Sequence, residues 1–203
     1  MTALVVAIAV FAVADWVAVT RGDKRLEYVA KPATTALLVV AALALQPEDS
    51  TQRAWFVAAL VLSLAGDVFL MLPRDAFVPG LASFLLGHLA YIAGLWREAG
   101  DLTPLVAVPL VLAGVLGVRI VRSIDDRKLL GPVVVYMLVI TAMACVAATT
   151  GDWRAFVGAV VFMASDSMIA WNRFVSPFPY ARLAIMSTYH LAQALLVLSL
   201  LRR

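Results

Sequence analysis

The sequence predicts an all-α membrane protein that crosses the bilayer about eight times as one integral domain, residues 1–203. Its hydrophobic share of 64% far exceeds the roughly 45–50% of soluble domains. Apolar runs long enough to span a bilayer recur along the whole chain, with the charges gathered between them. A transmembrane barrel would instead show segments of about ten residues with alternating character.

The first run, residues 2–19, has neither a basic leader nor a small-residue cleavage site and contains Asp15, so it reads as a retained helix. Asp15 falls at the end of this helix, and no role is expected for it. The second helix, residues 31–45, opens at Lys31-Pro32, where proline suits a first helical position; as the shortest span it is also compatible with a start near Glu27. The third, residues 54–72, stops at Pro73, and the fourth covers 80–96. REAGDLTP separates it from the fifth, 105–121, and the polar turn RSIDDRK leads to the sixth, 129–149. The seventh, 154–171, and the eighth, 180–201, flank the proline-containing NRFVSPFP. Gly114 and Gly117 on the fifth helix read as close-packing positions. Cys145 is the sole cysteine, so neither an internal disulfide nor a cysteine metal site is expected.

Eleven basic residues lie on the face of the loops after helices 1, 3, 5 and 7, including Arg74, against five on the other face, two of them Arg202 and Arg203. The positive-inside rule puts the eleven in the cytoplasm and both termini outside, in a bacterial inner membrane. A net charge of +3 suits anionic headgroups, and no nucleic-acid partner is expected.

A faint repeat divides the chain into halves, 1–100 and 101–203. Gly66-Asp67 and Ser165-Asp166 are 99 residues apart, and Lys31-Pro32 and Gly131-Pro132 are 100 apart. Arg74 and Phe77 follow the first aspartate much as Arg173 and Phe174 follow the second. Four helices per half would make the repeats parallel.

The polar residues fall at one depth. Asp67, after thirteen uncharged residues, lies about five residues before its helix end, as does Asp166, so both are roughly 7–8 Å deep. A carboxylate near the bilayer centre costs roughly 3 kcal/mol, so each should face a polar interior. His88, Tyr189, His190 and Gln193 sit at similar or greater depth, while Lys31, Tyr136 and Arg173 fall nearer the cytoplasmic mouth. A cavity open to the cytoplasm would hydrate them all.

The segments GDVFLMLP, FVPGLASFLLGHLAYI, VGAVVFMASDSMIAWNRF and STYHLAQALL, in that order, resemble the YhhN family of membrane proteins. One departure is His190, where the family pattern carries a second tyrosine. Because characterised animal members are lysoplasmalogenases, the resemblance implies hydrolysis of the vinyl ether bond of an alkenyl glycerophosphocholine or -ethanolamine. The products would be a fatty aldehyde and a glycerophospho-alcohol, and the partners a lysophospholipid or ether lipid and the surrounding membrane lipids.

Acid hydrolysis of a vinyl ether needs a proton donor and a group that stabilises an oxocarbenium ion, work suited to two carboxyls facing one pocket. Asp67 and Asp166 are that pair, with their individual roles open. His88 would orient water or relay the proton. Tyr136, Tyr189 and Gln193 would bind substrate oxygens, and Lys31 and Arg173 would take the phosphate.

Each has a structural alternative. Either aspartate could simply tie helices together, His88 could pack, Tyr91 and Tyr136 fit ordinary aromatic positions, and Lys31 and Arg173 could anchor at the interface. A transporter would also use paired carboxylates, but nearer the midplane. An intramembrane aspartyl protease fits less well, since Leu64 stands where the first glycine of GxGD belongs. No HExxH or similar spacing links Asp67, His88, Asp166 and His190 as metal ligands, and no metal or cofactor is expected.

Overall fold

A computed structural model describes residues 1–73 and 75–201. Arg74, Arg202 and Arg203, counted above for charge and repeat, lie outside the described residues. Among these there are eight long helices, all long and apolar enough to cross a membrane: α1 (Thr2–Arg21), α2 (Lys24–Ala44), α3 (Ser50–Met71), α4 (Phe77–Leu95), α5 (Ala107–Arg122), α6 (Arg127–Thr149), α7 (Trp153–Ala170) and α8 (Ala181–Ser199).

Several helices begin before the apolar run that announces them, because an aspartate caps the first turn. Asp23 accepts from the backbone of Arg25 and Leu26, and Asp49 from Thr51 and Gln52. Asp126 and Asp152 do the same for α6 and α7. Satisfying these orphan donors lets a helix start in charged sequence. Helix α2 therefore opens at Lys24, not at Lys31-Pro32, and Pro32 lies inside it. That shift carries Lys31 about 10 Å into the bundle, seven residues at 1.5 Å each.

Seven helices close a ring in the order α1, α2, α3, α4, α6, α7, α8, with α8 meeting both α1 and α2. Helix α5 lies outside it, against α6 and α7. The tightest pairs are α3 with α4 and α7 with α8, each seated on a glycine. A Cβ at Gly87 would lie 3.2 Å from the Ala59 carbonyl oxygen, and one at Gly158 would lie 3.2 Å from that of Ala192. By contrast, a Cβ at Gly114 would meet nothing within 4 Å, so Gly114 is not a close-packing position. Gly117 does face a neighbour, the end of Met137.

The core inside the ring is built from aromatic and small residues. Phe56 meets Tyr91 edge to face at 5.1 Å, and Phe84 and Phe162 both pack edge-on against Tyr189. Small residues such as Ala59, Ala144 and Ala159 are buried around them and let the helices approach closely.

Candidate functional site

Two aspartate clusters stand inside the ring. On α3, Asp67 is 1% exposed, and Lys31 Nζ of α2 lies 3.2 Å from its Oδ1. Its Oδ2 accepts from Thr35 Oγ1 at 2.9 Å and from the Tyr189 hydroxyl of α8 at 2.7 Å. Lys31 and Thr35 reach the same carboxylate because they are one turn apart on α2. The Gln193 amide donates to the Tyr189 oxygen at 3.3 Å, and Tyr91 donates to Gln193 Oε1 at 2.5 Å. A full charge in this interior is tolerable because the ammonium and two hydroxyls replace water around it.

On α7, Asp166 receives the Tyr136 hydroxyl of α6 on Oδ2, and His88 Nε2 of α4 lies 3.3 Å from the same oxygen. The Tyr136 oxygen is 3.1 Å from His88 Nε2. A proton on Nε2 satisfies both neighbouring oxygens. Among the described residues Oδ1 of Asp166 carries no hydrogen bond. The rings of Phe84 and Phe162 fill the space beside both clusters; Phe162 lies 4.7 Å from His88 and 5.5 Å from Tyr189.

The two carboxylates differ in access. A partly open, narrow cleft runs between α5 and the faces of α4, α6 and α7. Leu81, Leu112, Leu116, Ile140 and Met163 make its walls, with Phe77 and Phe174 at one end. Among the described residues that line it, Asp166 is the one carboxylate, and Tyr136 stands beside it. The Asp166 side chain is 11% exposed. Asp67 does not reach the cleft. The aspartates therefore face separate surroundings rather than one pocket.

Lys31 and Arg173, both expected near the mouth, part company. Lys31 is buried against Asp67, whereas Arg173 stays at the surface, where it bonds Asp75 at 2.9 Å and covers the Phe77 ring with Cζ 4.1 Å from its centre. Its guanidinium holds the Asp75 carboxyl below the usual carboxylate range.

Sequence reasoning missed a third polar group. Asp15, six residues before the end of α1, is fully buried and not at a helix end. Trp16 donates to His190 Nδ1 at 3.1 Å, which leaves the ring proton on Nε2, 4.0 Å from Asp15 Oδ2. Thr35 also went unnoticed, although its place four residues after Lys31 marks it as a neighbour on the same face.

Fold and clusters together define a polytopic helical membrane protein that holds ionisable groups within its bundle and exposes one of them to an apolar cleft. The model of the YhhN family matches residues 26–200, and the chain belongs to that family. The human protein named lysoplasmalogenase TMEM86B is 37% identical over 145 residues, 71% of this chain and 62% of that protein. Its mouse counterpart is 37% identical over 176 residues, 81% of this chain and 71% of that protein. A lysoplasmalogenase of Mycobacterium tuberculosis is 40% identical over 155 residues, 70% of this chain and 58% of its own length. The chain thus spans less than two thirds of the human and mycobacterial relatives. No solved structure matches it.

Proposed function

We propose that this protein hydrolyses the vinyl ether bond of a lysoplasmalogen, with Asp166 as the proton donor. The observation that carries this reading is the position of Asp166 and Tyr136 on the wall of an apolar cleft. An alkenyl chain suits the leucine, isoleucine and methionine walls, and its first double bond would lie against the carboxyl. Relatives named lysoplasmalogenase support the same chemistry.

In its acid form Asp166 gives its proton to the outer alkene carbon, and the ether oxygen shares a lone pair to form an oxocarbenium ion. The carboxylate left behind faces that cation, a charge pair strengthened by the apolar walls. Water adds to the cationic carbon and returns a proton to Asp166, either directly or through His88. The resulting hemiacetal transfers its hydroxyl proton to the ether oxygen and breaks its bond to it, releasing aldehyde and alcohol. Tyr136 and His88 hold Oδ2, so Oδ1 is the oxygen left for the substrate. Lys31, Asp67, Tyr189 and Gln193 form the scaffold beside this site, and Arg173, at the cleft end, takes the phosphate.

The cleft end with Phe77 and Phe174 lies on the face richer in basic residues, which supports a site opening toward the cytoplasm of a bacterial inner membrane, with both termini outside. We also read the chain as two parallel four-helix repeats. The caps Asp23 and Asp126, and Asp49 and Asp152, recur at one interval, and α2 on α3 and α3 on α4 are matched by α6 on α7 and α7 on α8.

Turnover of an alkenyl lysolipid in heavy water tests the chemistry. Protonation at carbon predicts a slower rate and one solvent deuterium on the carbon next to the aldehyde. Fatty acid release from ester lysolipids at a comparable rate, with inhibition by a serine-directed reagent, would overturn it.

A further inference from the structure

The charged pair at the cleft end has the layout of a headgroup subsite. Arg173 lies in the widened π turn Trp171–Val175 that follows α7, and its guanidinium covers the face of Phe77. Phe77 and Phe174, both on the cleft wall, meet edge to face at 5.9 Å, so Arg173 stands where the apolar walls stop. Asp75 is pinned from two sides: Oδ2 accepts from Arg173 Nη2 at 2.9 Å, and Oδ1 from the Phe77 backbone N–H at 3.3 Å. Both side chains remain accessible, Arg173 at 36% and Asp75 at 69%.

Spacing connects this pair to Asp166. Arg173 stands seven positions after Asp166, about 10 Å along an α-helix axis. In an alkenyl glycerophospholipid seven bonds join the outer alkene carbon to phosphorus, roughly 9 Å when extended. A lipid with its alkene at Asp166 therefore brings its phosphate to the guanidinium. Its amine nitrogen is four bonds beyond phosphorus, within about 5 Å, and so within reach of a carboxylate that already touches Arg173.

We infer that Asp75 selects the amine end of the headgroup, favouring a primary ammonium over a quaternary one and over headgroups with no cation. This rests on the hydrolysis reading for the placement of the lipid. A primary ammonium carries three N–H donors, and a carboxylate has about four acceptor positions, of which two are taken here. A trimethylammonium has no N–H, and its usual partner is an aromatic face. Arg173 already covers that face of Phe77. A headgroup with phosphate and no cation would bring its negative charge beside the Asp75 carboxylate with no ammonium between them. That carboxyl is ionised at neutral pH, and Arg173 holds it further below the usual carboxylate range.

The test separates binding from turnover. Saturated alkyl-ether lysolipids with ethanolamine, choline or glycerol headgroups, which cannot be hydrolysed at a vinyl ether, are titrated calorimetrically into the detergent-solubilised protein. Aldehyde release is measured in parallel from the alkenyl ethanolamine and choline lipids. The ethanolamine analogue should bind about five-fold more tightly than the choline one, the size of an exposed charge pair, and the glycerol analogue weakest. Asp75→Asn should erase the difference between ethanolamine and choline, and Asp75→Glu should keep it. Equal binding in the native protein, or a preference that survives Asp75→Asn, overturns the inference. Absence of aldehyde from both alkenyl lipids, with the binding preference intact, sinks the hydrolysis reading instead and leaves the subsite standing.

Discussion

Asp67 and Asp166 are held in the same way: each sits on the third helix of its half of the chain and is reached by a side chain from the second helix of that half and another from the last helix of the other half. For Asp67 these are Lys31 and Tyr189, and for Asp166 they are Tyr136 and His88. The difference lies in the partner from the second helix. An ammonium closes the first site, whereas a phenol leaves the second beside a cleft.

This contrast separates two mutants that sequence alone would treat as equals. Asp166→Asn should lower turnover at least about 100-fold, the range of general acid–base catalysis, with little change in melting temperature. Asp67→Asn should act first on stability, because it strands the Lys31 ammonium in the interior, a loss of roughly 3–5 kcal/mol for a broken buried pair. The double variant Lys31→Met with Asp67→Leu should recover most of that loss. Thermal unfolding in detergent, read beside the rates, checks both. A stable but inactive Asp67→Asn protein would move Asp67 into the chemistry.

Glycine positions give a second check on the packing. Alanine at Gly158 or Gly87 puts a Cβ 3.2 Å from a backbone oxygen of the facing helix, so that backbone has to give by a few tenths of an ångström, and overpacking of this kind costs about 1–3 kcal/mol. Alanine at Gly114 meets no neighbour and gains helix propensity, up to about 1 kcal/mol. Opposite shifts in melting temperature are the expected result, and destabilisation at all three positions would contradict the placement of α5.

The Arg97–Asp49 pair, which ties the turn after α4 to the start of α3, should make stability depend on acidity in one direction. The hydrogen bond from Arg97 holds the exposed Asp49 carboxyl below its usual value. Its contribution is therefore fully present above about pH 4, the unfolded carboxylate value, and is lost as the pH falls through the lower folded one. Arg97→Gln should melt below the native protein at neutral pH, and the gap should close as the solution is acidified below the unfolded carboxylate value. A gap that widens on acidification would rule this pair out as its source.

Orientation is open to labelling in intact cells. In a Cys145→Ser background, a cysteine at Asp125, in the turn between α5 and α6, should resist membrane-impermeant thiol reagents. One at Asp101, between α4 and α5, should react. The reverse pattern would turn the protein over and put the cleft mouth outside.

Composition and apolar run length were enough to determine the membrane class and the helix count, because a bilayer penalises every unpaired polar group and so imposes a period that the sequence must carry. The motifs around Asp67, His88, Asp166 and Tyr189 were equally legible, since ionisable residues in apolar runs stand out one by one. Which of them meet was decided only in three dimensions. Lys31 joined Asp67 because Asp23 caps α2 two turns earlier than the apolar run begins, and Arg173 stayed outside because it turns onto Asp75 and Phe77. Asp15 and His190 came within 4.0 Å because α8 closes the ring against α1. The cleft exists because α5 packs outside the ring, and it reaches Asp166 alone of the two site aspartates. Contacts between helices far apart in sequence depend on how side chains interlock across the bundle, and no local pattern of residues encodes that.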